Sequence, residues 1–309
     1  MSEKVITSYK AFDKNMQCRG FQYEVGKEYE MDGEIKCCNR GFHACKSPME
    51  VWSYYDMLNS RYAEVEQSGK IEKEENSTKV CSSRIKIKDE LKLADIINIG
   101  VEWLKDITSP SKVKTDSTLS SSGYSAQIGS SGYYAQIGSS GDSAKIGSSG
   151  YYAKIGSSGY SAKIGSSGDC AKIGSSGYSA KIGSSGYSAK IGSSGDYAKI
   201  GSSGDSAQIG SSGDSAKIGS SGDSAQIGSS GDCAQIDSTG EDSVIMCAGN
   251  NSKAKAKIGS WITLAEWKWS DEKKRDVPAC VKTEYVDGKN IKADTWYQLK
   301  NGKFVEVKE

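Results

Sequence analysis

Histidine occurs once in the 309 residues, proline three times and phenylalanine four times, and no apolar run is long enough to cross a bilayer. With His43 as the only imidazole, any mechanism or metal centre that needs two is excluded. The chain start lacks the apolar core of a signal peptide, so a non-exported protein is expected, with no membrane partner. Charge is nearly balanced, 40 basic against 39 acidic residues. Nucleic acid is therefore a conceivable partner that net charge does not favour. No Gly-x-Ser-x-Gly elbow, phosphate loop or His-Glu-x-x-His is present, and the expectation is a non-enzyme without a cofactor. Nine cysteines, an odd number scattered over the chain, do not resemble a secreted disulfide framework and fit a reducing compartment.

Glycine, by contrast, is abundant, 36 residues, mostly between Gly123 and Gly231. There the chain repeats a nine-residue unit: Ile-Gly-Ser-Ser-Gly, then Tyr or Asp, then Ser, Tyr or Cys, then Ala, then Lys or Gln. Thirteen copies place Ile at every ninth position from Ile128 to Ile236, with a fading fourteenth at Ile245. Ala lies two residues before each Ile, so the pair shares one face of an extended strand while the residue between faces out. Gly-Ser-Ser-Gly is turn chemistry, with glycine able to supply a positive φ. One copy buries too little: about 2–4 kcal/mol of apolar gain against about 10 of backbone ordering. Stacked copies share hydrogen bonds and continuous isoleucine columns, the logic of a solenoid. Nine residues are too few for a closed coil with a core, so about two repeats per turn are expected. A flexible linker would not keep Ile and Ala at strict intervals. Calcium is disfavoured because Asp follows the corner glycine in only about half of the copies, and regular threonine rows of the ice-binding kind are absent.

Substitutions fall on the outward slots. In two-per-turn register Lys145, Lys163, Lys181, Lys199 and Lys217 form one column, and Lys154, Lys172 and Lys190 another. Tyr124, Tyr133, Tyr134, Tyr151, Tyr152, Tyr160, Tyr178 and Tyr187 crowd the first half of the array, and Asp dominates the second. The tyrosines with Lys145, Lys163, Lys181 and Lys199 are the candidate binding residues, a strip for a protein or a polyanion.

The whole chain reads as mainly β. A small α+β domain occupies residues 1–110 and a joint 111–120. A nonapeptide-repeat β-solenoid follows at 121–249, then a hairpin-rich C-terminal cap at 250–309. Ser47-Pro48-Met49-Glu50 has the form of a capping box opening a helix. Residues 83–88 alternate as a strand, and Leu93, Ile96, Ile97, Val101 and Leu104 mark an amphipathic helix with a break near Gly100. Beyond Ser260 the pattern is strands, a turn at Asp287-Gly288 and a hairpin at Asn301-Gly302. The cap and the N-terminal domain are expected to cover the open ends of the ladder. Cys18, Cys37, Cys38, His43 and Cys45 include the residue types of a Cys3His zinc site without the paired spacing of one, so small buried thiols are the simpler reading.

Two resemblances rest on these ends. Gly41-Phe42-His43-Ala44-Cys45, then Tyr54-Tyr55, then the stretch from Arg61 to Lys70 is similar to mono-ADP-ribosyltransferase folds. That similarity implies a nucleotide-related enzyme or ligand binder with the solenoid as spacer; it assigns no catalytic Glu, neither Glu64 nor Glu66 being fixed in that place, and His43 and Arg19 are the first residues to test. The stretch from Cys18 to Lys27, residues 41–45, Ile262-Thr263-Leu264-Ala265-Glu266 and Val281-Lys282-Thr283-Glu284 resemble uncharacterised phage and prophage proteins of Firmicutes. Those place a small N-terminal domain of unknown function before Ser/Gly-rich repeats. That resemblance implies a phage-encoded protein, an interaction rod acting against a bacterial defence system. A virion fibre component is the other alternative.

Overall fold

The computed structural model describes residues 5–37, 39–73, 78–108 and 118–308. Cys38 and most of the expected joint lie outside the described residues. The chain falls into two units, Met1–Trp103 and Leu104–Glu309.

In the first unit the strands are β1 (Ile6–Phe12), β2 (Gln17–Cys18), β3 (Phe21–Gln22), β4 (Glu28–Glu30), β5 (Phe42–Cys45), β6 (Arg61–Lys73) and β7 (Lys79–Leu91). β1 and β7 each pair with both β5 and β6, closing a small antiparallel ring to which β4 adds along β7. Phe12, Ala63, Val65, Ile85 and Ile87 fill it. The expected helix after Ser47 is a short 3-10 segment, Pro48–Ser53, and the Ser47 side chain makes no capping bond. Pro48, Met49, Val51 and Trp52 are all buried there, so packing rather than the cap fixes this turn. The following helix, α1 (Leu93–Thr108), runs unbroken through Gly100. That glycine serves contact instead: a Cβ on it would lie 2.8 Å from Met49 Cγ.

Between residues 118 and 264 the chain winds through about eight solenoid turns. Successive strands alternate between two parallel sheets, and residues eighteen apart pair in register, Ile137 with Ile155 and Ile146 with Ile164. The first face begins at Thr118–Ser121 and the second at Gln127–Ser130. Inside, the alanines from Ala135 to Ala234 and the isoleucines from Ile137 to Ile236 are buried, as the two-residue spacing requires. The ladder outruns the recognisable repeat: Leu119 extends the isoleucine column at its start, and Ile245, Ala254 and Ile262 extend it at its end.

The corners depart from expectation. Their glycines do not adopt positive φ; a Cβ on Gly213 would instead strike the Gly195 carbonyl of the neighbouring turn. Glycine is there because backbones approach closely. Two corner states exist. Those carrying Tyr124, Tyr133, Asp142, Tyr151, Tyr160 and Tyr178 are closed by an Ala N–H bond to the corner Gly carbonyl, 3.1–3.4 Å. In this state the second-slot N–H reaches back one turn, as from Tyr152 to Tyr133 O at 2.8 Å. In corners carrying Asp169, Tyr187, Asp196 and Asp205 and beyond, the second-slot residue is left-handed, φ 53–56° for Cys170, Ser188, Tyr197, Ser206, Ser215, Ser224 and Cys233. Its N–H now points forward, as from Cys170 to Tyr187 O at 2.8 Å. The peptide between the two slots has turned over, the difference between type I and type II turns. Asp stabilises the second state: Asp169, Asp196, Asp205 and Asp214 each accept the first-slot amide of the next turn at 2.7–3.0 Å. A left-handed non-glycine residue costs about 1–2 kcal/mol, which a charge-assisted bond of about 1.5 offsets. These aspartates are therefore structural, not merely surface variation. The states change over between Tyr151 and Asp169 on one corner row and between Tyr178 and Asp196 on the other.

The cap ends both sheets with antiparallel strands. Trp261–Ser270 pairs with Arg275–Tyr285, and the pair Tyr297–Lys300 and Lys303–Glu306 joins the second face through Ala254. Asn301 and Gly302 have φ of 50° and 67°, the hairpin turn read from the sequence. Asp287 closes the preceding turn by accepting amides from Lys289, Asn290 and Ile291, which hold its carboxyl down at about 2.

Candidate functional sites

All eight candidate tyrosines, Tyr124, Tyr133, Tyr134, Tyr151, Tyr152, Tyr160, Tyr178 and Tyr187, are exposed. The corners stack six of them. Tyr133 lies over Tyr151 at 5.2 Å and Tyr134 over Tyr152 at 5.4 Å, both pairs 7° from parallel. Within a turn the neighbouring rings meet edge-on at 4.8 and 4.7 Å. On the opposite corner row Tyr160 stacks on Tyr178 at 5.1 Å, and Tyr178 meets Tyr197, also 5.1 Å away. Tyr197 was missed in the sequence because it stands behind Asp196, past the tyrosine-rich first half of the array; only the three-dimensional row brings it in.

The lysine column of the second face corrects the outward-strip reading. Lys181 is only 8% exposed, Lys145, Lys163 and Lys199 are half-buried, and all four make interactions within the protein. At the start of that face, Gly129 lies under Thr108 and Gly147 under Thr108 and Leu104. Lys154, Lys172 and Lys190 of the first face are exposed instead. Beside them runs a shallow trough of about 1190 Å³. Its floor is the glycine column Gly138, Gly156, Gly174, Gly192 and Gly210, where a Cβ would meet nothing within 4 Å. The two tyrosine rows flank this face, one on each corner.

A second site lies in the first unit, a cavity of about 340 Å³ lined by Lys10, Cys18, Arg19, His43, Cys45 and Tyr55 among others. Period-two alternation along β1 puts Lys10 inward with Ile6 and Phe12, a signal that was present in the sequence. Its ammonium donates to His43 O at 2.8 Å and to Cys18 Sγ at 3.5 Å, and burial pushes its pKa down. Tyr55 Oη donates to the same sulfur at 2.7 Å, and burial raises the Tyr55 and Tyr23 phenols. Burial, reinforced by Lys10, Lys79 and Arg19, lowers the pKa of His43 and favours its neutral form. The cavity thus brings together Cys18, His43 and Cys45. Among the described residues no group of three or more His, Cys, Asp or Glu is placed to hold a metal ion. Glu64 and Glu66 do not line the cavity, and Glu66 pairs with Lys88 at 3.1 Å.

Fold and sites together define the class: a β-solenoid of nonapeptide repeats, two to a turn, preceded by a small closed-sheet domain. The particular assignment reaches only the first part, where residues 6–99 match the family model of a domain of unknown function (DUF7666). No curated protein and no solved structure matches the chain. No helix among the described residues is long and apolar enough to cross a membrane.

Proposed function

We propose that the protein is a non-enzymatic interaction protein whose solenoid grips a host protein with its tyrosine rows. One observation carries this: solvent-exposed rings are stacked in two rows on the first turns of the rod and flank an open glycine-floored face. Tyrosine buries a large area at little conformational cost and dominates many protein interfaces. The exposed lysines of that face are three, with glutamines in the remaining places, which suits a protein better than a polyanion. A hydrogen-bonded rod also holds its contact groups in place before binding, which lowers the ordering cost of association. The resemblance to phage and prophage proteins supports the finer reading, a phage-encoded protein acting in the bacterial cytoplasm on a component of host defence.

The test is replacement of Tyr151, Tyr152, Tyr160 and Tyr178 together by serine. Affinity capture from expressing cells, read by mass spectrometry, should lose a specific partner seen with the parent chain, while circular dichroism retains the β signal. Capture of the same partner by both chains would refute the reading.

A further inference from the structure

We infer that the cavity of the first unit is a binding site for a small phosphate ester carrying a planar ring, with Lys10 supplying part of its counter-charge. This does not depend on the partner of the solenoid. Lys10 is the starting point. It is 5% exposed, and two of its three ammonium hydrogens go to His43 O and Cys18 Sγ. Among the described residues the third meets no acceptor, only the rings of Phe12 and Tyr23, each centred 5.5 Å from Nζ. Burying a cation without a carboxylate is costly. A ligand anion removes that cost.

The surrounding wall points the same way. Arg19, Arg40 and Lys79 also line the cavity, and no Asp or Glu does among the described residues. Arg40 also donates to Asp32 O at 2.7 Å and Lys79 lies over the Tyr54 ring, so Lys10 and Arg19 are the cations offered to the ligand, a pair that suits a phosphate ester of about −1.5 to −2 charge. Arg19 is placed there by the two-residue hairpin turn Arg19-Gly20 between β2 and β3, whose φ values are 51° and 76°. For the ring, the lining residue Phe21 is 45% exposed and offers aromatic surface on which a ligand ring is stabilised, whereas Tyr54 already carries the Lys79 ammonium 4.9 Å from its ring centre. The volume lies in the range of small-molecule sites, about 300–1,000 Å³.

Calorimetric titration of the full chain with adenosine monophosphate, adenosine and inorganic phosphate tests the assignment. The mononucleotide should bind at least about tenfold more tightly than either fragment, a difference of about 1.4 kcal/mol. Lys10→Met should weaken it by a similar factor while the thermal transition stays or rises, since an uncompensated buried charge has been removed. Should that variant not fold, Arg19→Gln serves in its place, with a several-fold loss expected. No binding of the mononucleotide at millimolar concentration overturns the assignment. So does equal affinity for inorganic phosphate alone, or affinity unchanged in the variant that folds. An ultraviolet thiolate band at neutral pH that disappears in Cys18→Ser would also overturn it, because the sulfur would then hold the counter-charge.

Discussion

At the scale of single residues, glycine has two separate jobs three positions apart. Gly213 sits where the next backbone leaves no room, and Gly210 lies on the open face with nothing near it. Gly213→Ala should cost about 2–3 kcal/mol through forced displacement of the neighbouring turn. Gly210→Ala should be neutral or stabilising by about 0.5 kcal/mol, because alanine restricts the unfolded chain. Urea denaturation of the two variants decides it, and equal effects would contradict the geometry. The sequence distinguished core from surface well: Ala-x-Ile was legible because period two is geometric. It did not reveal why corner glycines are invariant, since close approach between residues eighteen apart leaves no local signature. Lys10 was legible in its parity with Ile6 and Phe12, but a charged residue at an inward position is easily read as an edge.

At the scale of the element, the corner is the unit that chooses between two hydrogen-bonding states. Asp favours the turned-over state through its bond to the next amide, yet Asp142 lies in the first state and Tyr187 in the second. Neighbouring turns therefore share the choice, since each second-slot amide bonds only a carbonyl facing it. Ser215→Gly should stabilise the rod by about 0.5 kcal/mol, relief of the left-handed strain less glycine's entropy. Ser161→Gly, in a corner without that strain, should destabilise by about 1 kcal/mol. Opposite signs in thermal unfolding are the expected result. None of this was readable from composition, because the same Ser occupies both states; only the pairing across turns separates them. The C-terminal hairpin was readable in full, since Asn-Gly dictates its own turn. The 3-10 segment after Ser47 was not, because burial of Pro48 and Trp52 overrides the capping pattern.

At the scale of the whole molecule, the solenoid is a ladder whose end must be closed. The outer strand Arg275–Tyr285 carries Pro278, which can donate no hydrogen bond to a further strand, and both cap strands are rich in charge. A chain ending at Leu264 would lose these strands and uncover Ile262 and Leu264, both buried in the full chain. Light scattering of the shortened chain should show particles that grow with concentration beyond those of the full chain; identical profiles would mean that the cap is not a terminator. The two corner states have one more consequence. Where they meet, the carbonyls of Tyr151 and Tyr178 look toward turns whose amides, those of Cys170 and Tyr197, are committed in the opposite direction. The rod is thus two phases of one lattice with a wall between them. Turning over one peptide at the wall trades one inter-turn bond for another and shifts it by a single rung, so its rest position is written by the order of tyrosine and aspartate along the chain.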